Sequence, residues 1–259
     1  MSTQTEFAEF DRDLKKIEAS IRFVIEFRGF GAESPDSVDD PSAFIRAALE
    51  LHKVSDSIRT DLPIMVGSLV LYACGRFEYF VGELVKAVAD REVAKADSYA
   101  DLPNDVRDSL RARILAILNE PARYSHLKLS DQQLASTLSR IVLADQNEAP
   151  SDIPTEILAS TDANMRPQML KDVFARVGIK DLWSEISKQA PLRTHFETAS
   201  EHACKSAATN FLEDLMRLRN SIAHPTASLS FPSPERVLEI CGSLRALSRA
   251  IGDVAYLPR

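Results

Sequence analysis

The sequence predicts an all-α fold, and three observations carry that prediction. Glycine is scarce, at 8 of 259 residues. The long apolar stretches are rich in Leu, Ala, Ile, Glu and Arg, most of which lose little side-chain freedom in a helix. Apolar positions recur at intervals of three and four along most segments, the period of a helix face. With 45% hydrophobic and 27% charged residues, the composition is ordinary for a globular chain, and the length suits one large or two small domains.

The elements follow in order. Phe7, Phe10, Leu14, Ile17, Ile21 and Val24 share one face, so residues 4–28 predict an amphipathic helix stopped by Gly29 and Gly31. Residues 32–40 read as a polar loop. Asp40-Pro41, and Asp61 ahead of Pro63, set an acidic cap before a proline, so two further helices are expected to begin there. The second should run from about 63 to 93. Its stretch from Val70 to Val85 is apolar nearly all round in its first half, which marks the most buried helix. That helix carries Glu78. A buried carboxylate is costly unless paired, so Glu78 either reaches an arginine or the surface or serves a site as an auxiliary group.

A helix is expected at 104–119, ended by Pro121, and Ser130-x-x-Gln133 is a capping box for another at 131–144. Residues 145–165, with Pro150, Ser151, Pro154 and Ser160, form the longest irregular stretch, suited to separating subdomains or carrying a substrate loop. Short helices follow at 166–177, capped by Gly178, and at 181–189 before Pro191. A long helix is expected from Thr194 to Ala223. The last begins at Ser233-Pro234 and continues to about 254, with Val237, Ile240, Leu244, Leu247 and Ile251 on one face.

Several functional classes are excluded at this point. Cys74, Cys204 and Cys241 are odd in number, far apart and set in apolar patterns, so they predict reduced core residues and a reducing, cytoplasmic setting. The N-terminus is acidic where a signal peptide would be basic then apolar. The most apolar run, Leu62 to Gly75, is short for a bilayer crossing and contains Pro63, so no membrane association is expected. A net charge of −7 argues against coating nucleic acid by bulk electrostatics; contact with RNA or DNA must be local. No glycine-rich phosphate loop, CxxC pair, HExxH or GxSxG is present, nor a clustered metal-ligand set, so no cofactor is expected.

The segment Met216-Arg217-Leu218-Arg219-Asn220-Ser221-Ile222-Ala223-His224-Pro225 is different. It places a permanent cation, an amide and an imidazole within six residues, a set able to act on a phosphodiester without a metal. Phe211, Leu215, Leu218 and Ile222 are expected to be its buried stripe, with Arg217, Asn220 and His224 on the polar side and Arg219 at the edge. Pro225 disfavours helical geometry at His224, so the helix should end there. Arg219 and His224 point about 140° apart on an ideal helix, so either the end unwinds or a second chain completes the site. The alternative is a helix end whose arginine caps carbonyls and whose histidine is merely exposed. Arg46 and His52 fit the same loose spacing, but widely separated helix faces assign them to the solvated surface.

The string Arg219-Asn220-Ser221-Ile222-Ala223-His224, closing a long helix and followed by a loop and one last helix, resembles the RxxxxH signature of the HEPN superfamily. The apolar helix with Phe77-Glu78-Tyr79, and the segment from Asn164 to Trp183, resemble the HEPN group found with RiboL-PSP-type proteins. The match spans roughly residues 62–255. It implies a HEPN-like helical domain over 61–259, with residues 1–60 as an additional N-terminal helical extension. It further implies a homodimer acting as a metal-independent endoribonuclease, a toxin or antiphage effector with an antitoxin or defence-system partner. By position, Arg219 would polarise the phosphate, His224 transfer protons and Asn220 orient the 2'-hydroxyl, while Arg217 and Ser221 would contact RNA. The competing implication is a non-catalytic HEPN-like module that engages a partner protein or a nucleotide.

Overall fold

Four helices in this chain start where a serine hydroxyl, of Ser42, Ser130, Ser200 or Ser233, accepts from a backbone N–H that the helix leaves open. A computed structural model describes residues 4–30, 42–143, 149–150, 152–161, 163–225 and 230–257. Among these there are eleven α-helices and no strand, so the fold is all-α. Two long helices come first, α1 (Gln4–Phe30) and α2 (Ala43–Ile58), followed by α3 (Leu62–Ala94). The α2 cap is Ser42, whose hydroxyl accepts from the Ile45 N–H at 3.3 Å; the Asp40-Pro41 pair expected to cap it lies outside the described residues. At 33 residues, α3 spans the length expected for it, and by length and composition alone it is enough to cross a bilayer. Val66, Val70, Ala73, Phe77, Leu84 and Val88 of α3 are instead buried within the protein.

α4 (Asn104–Asn119) and α5 (Asp131–Leu143) fall where expected, the latter capped by the Ser130 hydroxyl accepting from the Gln133 N–H at 3.2 Å. The described part of the stretch at 145–165 is more regular than its prolines suggested. Its described part contains α6 (Glu156–Ala159), with Ile157 and Leu158 fully buried. The Arg176 guanidinium donates to the Leu158 and Ser160 carbonyls at 2.8 and 2.7 Å, and Thr155 donates to Asp90.

α7 (Pro167–Ala175) ends at Gly178, which has φ +85°. The Gly178 N–H returns to Ala175 and the Ile179 N–H to Phe174, the left-handed ending that glycine adopts without steric cost. α8 (Leu182–Ser187) follows. The helix expected from Thr194 is in fact two, α9 (Ala190–His195) and α10 (Glu201–Ala223). Pro191 opens α9, where its missing N–H costs nothing. Glu197 then takes a positive φ of 51° and Ser200 recaps the chain, its hydroxyl accepting from the Ala203 N–H. α11 (Pro234–Ala255) closes the fold.

The residues group into two units, one of Met1–Phe7, Phe77–Glu213 and Ala246–Arg259, the other of Ala8–Arg76 and Asp214–Arg245. In the first, α4 packs on α5 and α6, and α8 on both α7 and α9. In the second, Phe10, Leu14, Ile17, Ile21 and Val24 of α1 are buried, as their spacing predicts. Arg76 of α3 reaches Asp13 at 2.5 Å and Glu9 at 2.6 Å. Arg245 of α11 reaches Asp11 at 2.5 Å and Glu18 at 2.9 Å. Ser55 of α2 donates to the Phe27 carbonyl at 2.8 Å. The pair expected on the solvated surface is only half there: Arg46 is exposed, whereas His52 is half-buried with its ring 5.3 Å from that of Phe30.

Burial alone would push the Asp13 carboxyl up, but hydrogen bonds from Lys16 and Arg76 and their charges outweigh it and hold the group below its ordinary value. Asp11, beside Lys15 and Arg245, is depressed in the same way. Carboxylates depressed in the folded state contribute stability above their unfolded value and lose it as the pH falls below that value toward the depressed one. Urea unfolding should therefore show wild type weakening as the pH is lowered below about 4. Asp13→Asn should be less stable at pH 7 by roughly 1–3 kcal/mol, with a smaller further loss on acidification.

Candidate active site

The site is built on the last turns of α10. Cys204, Ala208, Leu212, Leu215 and Met216 are each no more than 3% exposed and Ile222 is 8% exposed, so this face anchors the helix. The buried stripe is thus displaced from the expected one: Phe211 and Leu218 are only half-buried, and Leu212 and Met216 replace them at its centre. Since successive residues step by about 100°, a stripe centred one position later turns Arg219 further from solvent than Arg217. Arg217 is exposed and pairs with Asp214 at 3.4 Å.

Arg219 is half-buried, and its Nη1 donates to Asn220 Oδ1 at 3.3 Å. It meets a side-chain amide, not the helix-end carbonyls. Among the described residues no ion pair involves Arg219, in contrast to Arg217, Arg76, Arg166 and Arg245, each beside a carboxylate. Ser221 is exposed, and its hydroxyl turns back to donate to the Leu218 carbonyl at 2.8 Å. His224 is exposed, and its backbone N–H still donates to the Asn220 carbonyl at 3.0 Å. The helix therefore holds its hydrogen bonding up to the histidine and does not unwind between Arg219 and His224. Their divergence of about 140° persists, and no hydrogen bond joins the two side chains among the described residues.

Two residues near this segment were not recognised from the sequence. A Cβ at Gly67 of α3 would stand 2.6 and 2.7 Å from Cδ1 and Cε1 of Phe231, and 3.3 Å from Cγ2 of Ile222. The signal was a glycine inside an apolar helix, where it costs about 1 kcal/mol relative to alanine and so calls for a reason. In the same unit, α1 and α3 border an apolar groove of about 640 Å³ lined by Ser20, Phe23, Ile64, Met65 and Leu69 among others. Glu78 belongs to the other unit, where its half-buried carboxylate accepts from the Met165 N–H at 3.3 Å. Among the described residues no group of three or more His, Cys, Asp or Glu is placed to hold a metal ion. The three cysteines are buried and form no disulfide with one another, and burial pushes the Cys241 thiol up to about 12.

An all-helical chain with an Arg-Asn-x-x-x-His helix end followed by a final helix is the arrangement of a HEPN domain. The RiboL-PSP-HEPN family model matches residues 42–256, and the chain belongs to this family. Searches of curated proteins and of solved structures returned no match.

The side chains at the end of α10 contribute unequally to stability. Arg219→Ala and His224→Ala should leave the urea midpoint nearly unchanged, within about 0.5–1 kcal/mol. Met216→Ala should cost about 2–5 kcal/mol, because it leaves a cavity under the same turn.

Proposed function

We propose that this protein is a metal-independent endoribonuclease. The observation that carries the reading is the state of Arg219: half-buried, in no ion pair among the described residues, bonded to Asn220 and five residues before an exposed histidine. In a chain of net charge −7, a guanidinium in that state is suited to an external anion, and it can donate to two phosphoryl oxygens at once. Family membership supports the reading, because HEPN domains are commonly nucleases.

The RNA's own 2'-hydroxyl attacks the adjacent phosphorus, and the P–O5' bond breaks. The products are a 2',3'-cyclic phosphate and a 5'-hydroxyl. Arg219 and the Asn220 amide stabilise the charge that develops on the phosphoryl oxygens. His224 takes the proton from the 2'-hydroxyl while water supplies one to the leaving 5'-oxygen, or it delivers the proton to the 5'-oxygen while water accepts that of the 2'-hydroxyl. Arg217 and Ser221 contact flanking phosphates. Because Arg219 and His224 diverge on one helix, a two-fold dimer that sets two α10 ends face to face would let each chain supply part of the site. A toxin or antiphage effector role, with a partner protein that restrains or triggers it, fits such an activity.

One observation favours a second reading. The apolar groove between α1 and α3, with Phe23, Ile64 and Met65 exposed along it, suits a module that engages a partner without catalysis. That reading requires no RNA cleavage.

Arg219→Ala and His224→Ala should each reduce cleavage of total RNA by at least about a hundredfold while the proteins stay folded. Mixing the two variants after dissociation and reassociation should recover part of the activity, because a heterodimer holds one intact Arg219 and one intact His224. A fully active His224→Ala protein would reject the assignment. A fully active monomer would reject the shared site.

A further inference from the structure

We infer that Gly67 and Phe231 form a seat that positions His224, an inference that rests on the endoribonuclease reading for its catalytic meaning. Gly67 is buried in α3, and a Cβ there would lie 2.6 and 2.7 Å from the Phe231 ring edge and 3.3 Å from the Ile222 side chain. A Cβ essentially never stands within 3.0 Å of another heavy atom outside its own chain neighbourhood, so only glycine allows the ring this close without a shift. Ile222 lies two residues before His224 and Phe231 seven after it. One glycine therefore receives the chain on both flanks of the imidazole.

The rest of the segment explains why the seat matters. Ile222 is the last strongly buried residue of α10; Ala223 is half-buried, and His224 and Pro225 are exposed. Past Ile222, His224 is held by its backbone bond to Asn220 at 3.0 Å, and Pro225 brings no N–H of its own. The next described residues begin at 230, and the Phe231 ring enters the Gly67 notch three residues before α11 starts at Pro234. Ile222 and Phe231 meet at the same point of α3, which fixes the end of α10 two residues before His224. Gly67 and Phe231 are positioning residues here, since neither brings a group able to transfer a proton. A displacement of about 1 Å in a reacting group is enough to cost up to a hundredfold in rate.

The test uses the full-length protein and reads His224 directly. Histidine-labelled protein gives five imidazole signals, one per histidine in the chain, and His224→Ala identifies the fifth by its loss. Gly67→Ala should shift or broaden the His224 signal and leave those of His126 and His195 in place. Phe231→Leu, which shortens the ring without adding a clash, should move the same signal by less, and it carries the test if Gly67→Ala fails to fold. In RNA cleavage, Gly67→Ala should lower kcat roughly tenfold or more with KM nearly unchanged, and should cost nothing further when added to His224→Ala. An unmoved His224 signal in both folded variants overturns the seat. So does a further tenfold loss on top of His224→Ala. A wild type that cleaves no RNA while its His224 signal responds as expected would leave the seat intact and reject the endoribonuclease reading alone.

Discussion

Charge pairing at half-buried positions is the constraint on which the second unit depends. Taking a guanidinium or a carboxylate partly out of water is costly unless it finds an opposite charge with good hydrogen-bond geometry. α1 presents Glu9, Asp11, Asp13 and Glu18 along its length, and Arg76 of α3 and Arg245 of α11 each take two of them. These pairs fix which helices meet α1 and in what register, while the apolar face from Phe10 to Val24 supplies the non-directional part of the packing. The outcome is that the cations of this unit are mostly matched internally. Arg219 departs from that pattern, and the departure gives the end of α10 its chemical interest.

Much of the fold was legible because it rests on local rules. Ser130 and Gln133 placed the start of α5, Gly178 the end of α7, and the three- and four-residue spacing in α1 predicted its buried face from Phe10 to Val24, with Phe7 only half-buried. The failures trace to effects that a one-dimensional pattern does not carry. Thr194 to Ala223 read as one helix, but Glu197 accepts a left-handed backbone and Ser200 restarts the chain. The prolines between 145 and 165 suggested a loop, but Ile157 and Leu158 are core residues held by Arg176 from a distant helix. His52 read as solvated because its ring contact with Phe30 lies between two different helices.

Of the candidate site, the helix end was legible and the environment less so. The order Arg219, Asn220, His224, Pro225 gave the residue types, the helix end and the divergence of the two side chains. The sequence did not give the degree of burial of Arg219, because the stripe under it is centred on Leu212 and Met216 where Phe211 and Leu218 had been expected. Nor did it connect Gly67 to this segment, since the three partners Gly67, Ile222 and Phe231 are far apart in the chain and meet only in the fold. A glycine in an apolar helix announces a close approach without naming what approaches.

The central claim is that this set of side chains cleaves RNA through the substrate's own 2'-hydroxyl. The most direct measurement is end analysis of the products from a single oligoribonucleotide, incubated with the pure protein in EDTA, beside the same oligonucleotide carrying one 2'-deoxy substitution at the scissile nucleotide. The account predicts a 2',3'-cyclic phosphate and a 5'-hydroxyl from the first and no cleavage at that position in the second. Products with a 3'-hydroxyl, cleavage at the deoxy position, or loss of all activity to the chelator would contradict it.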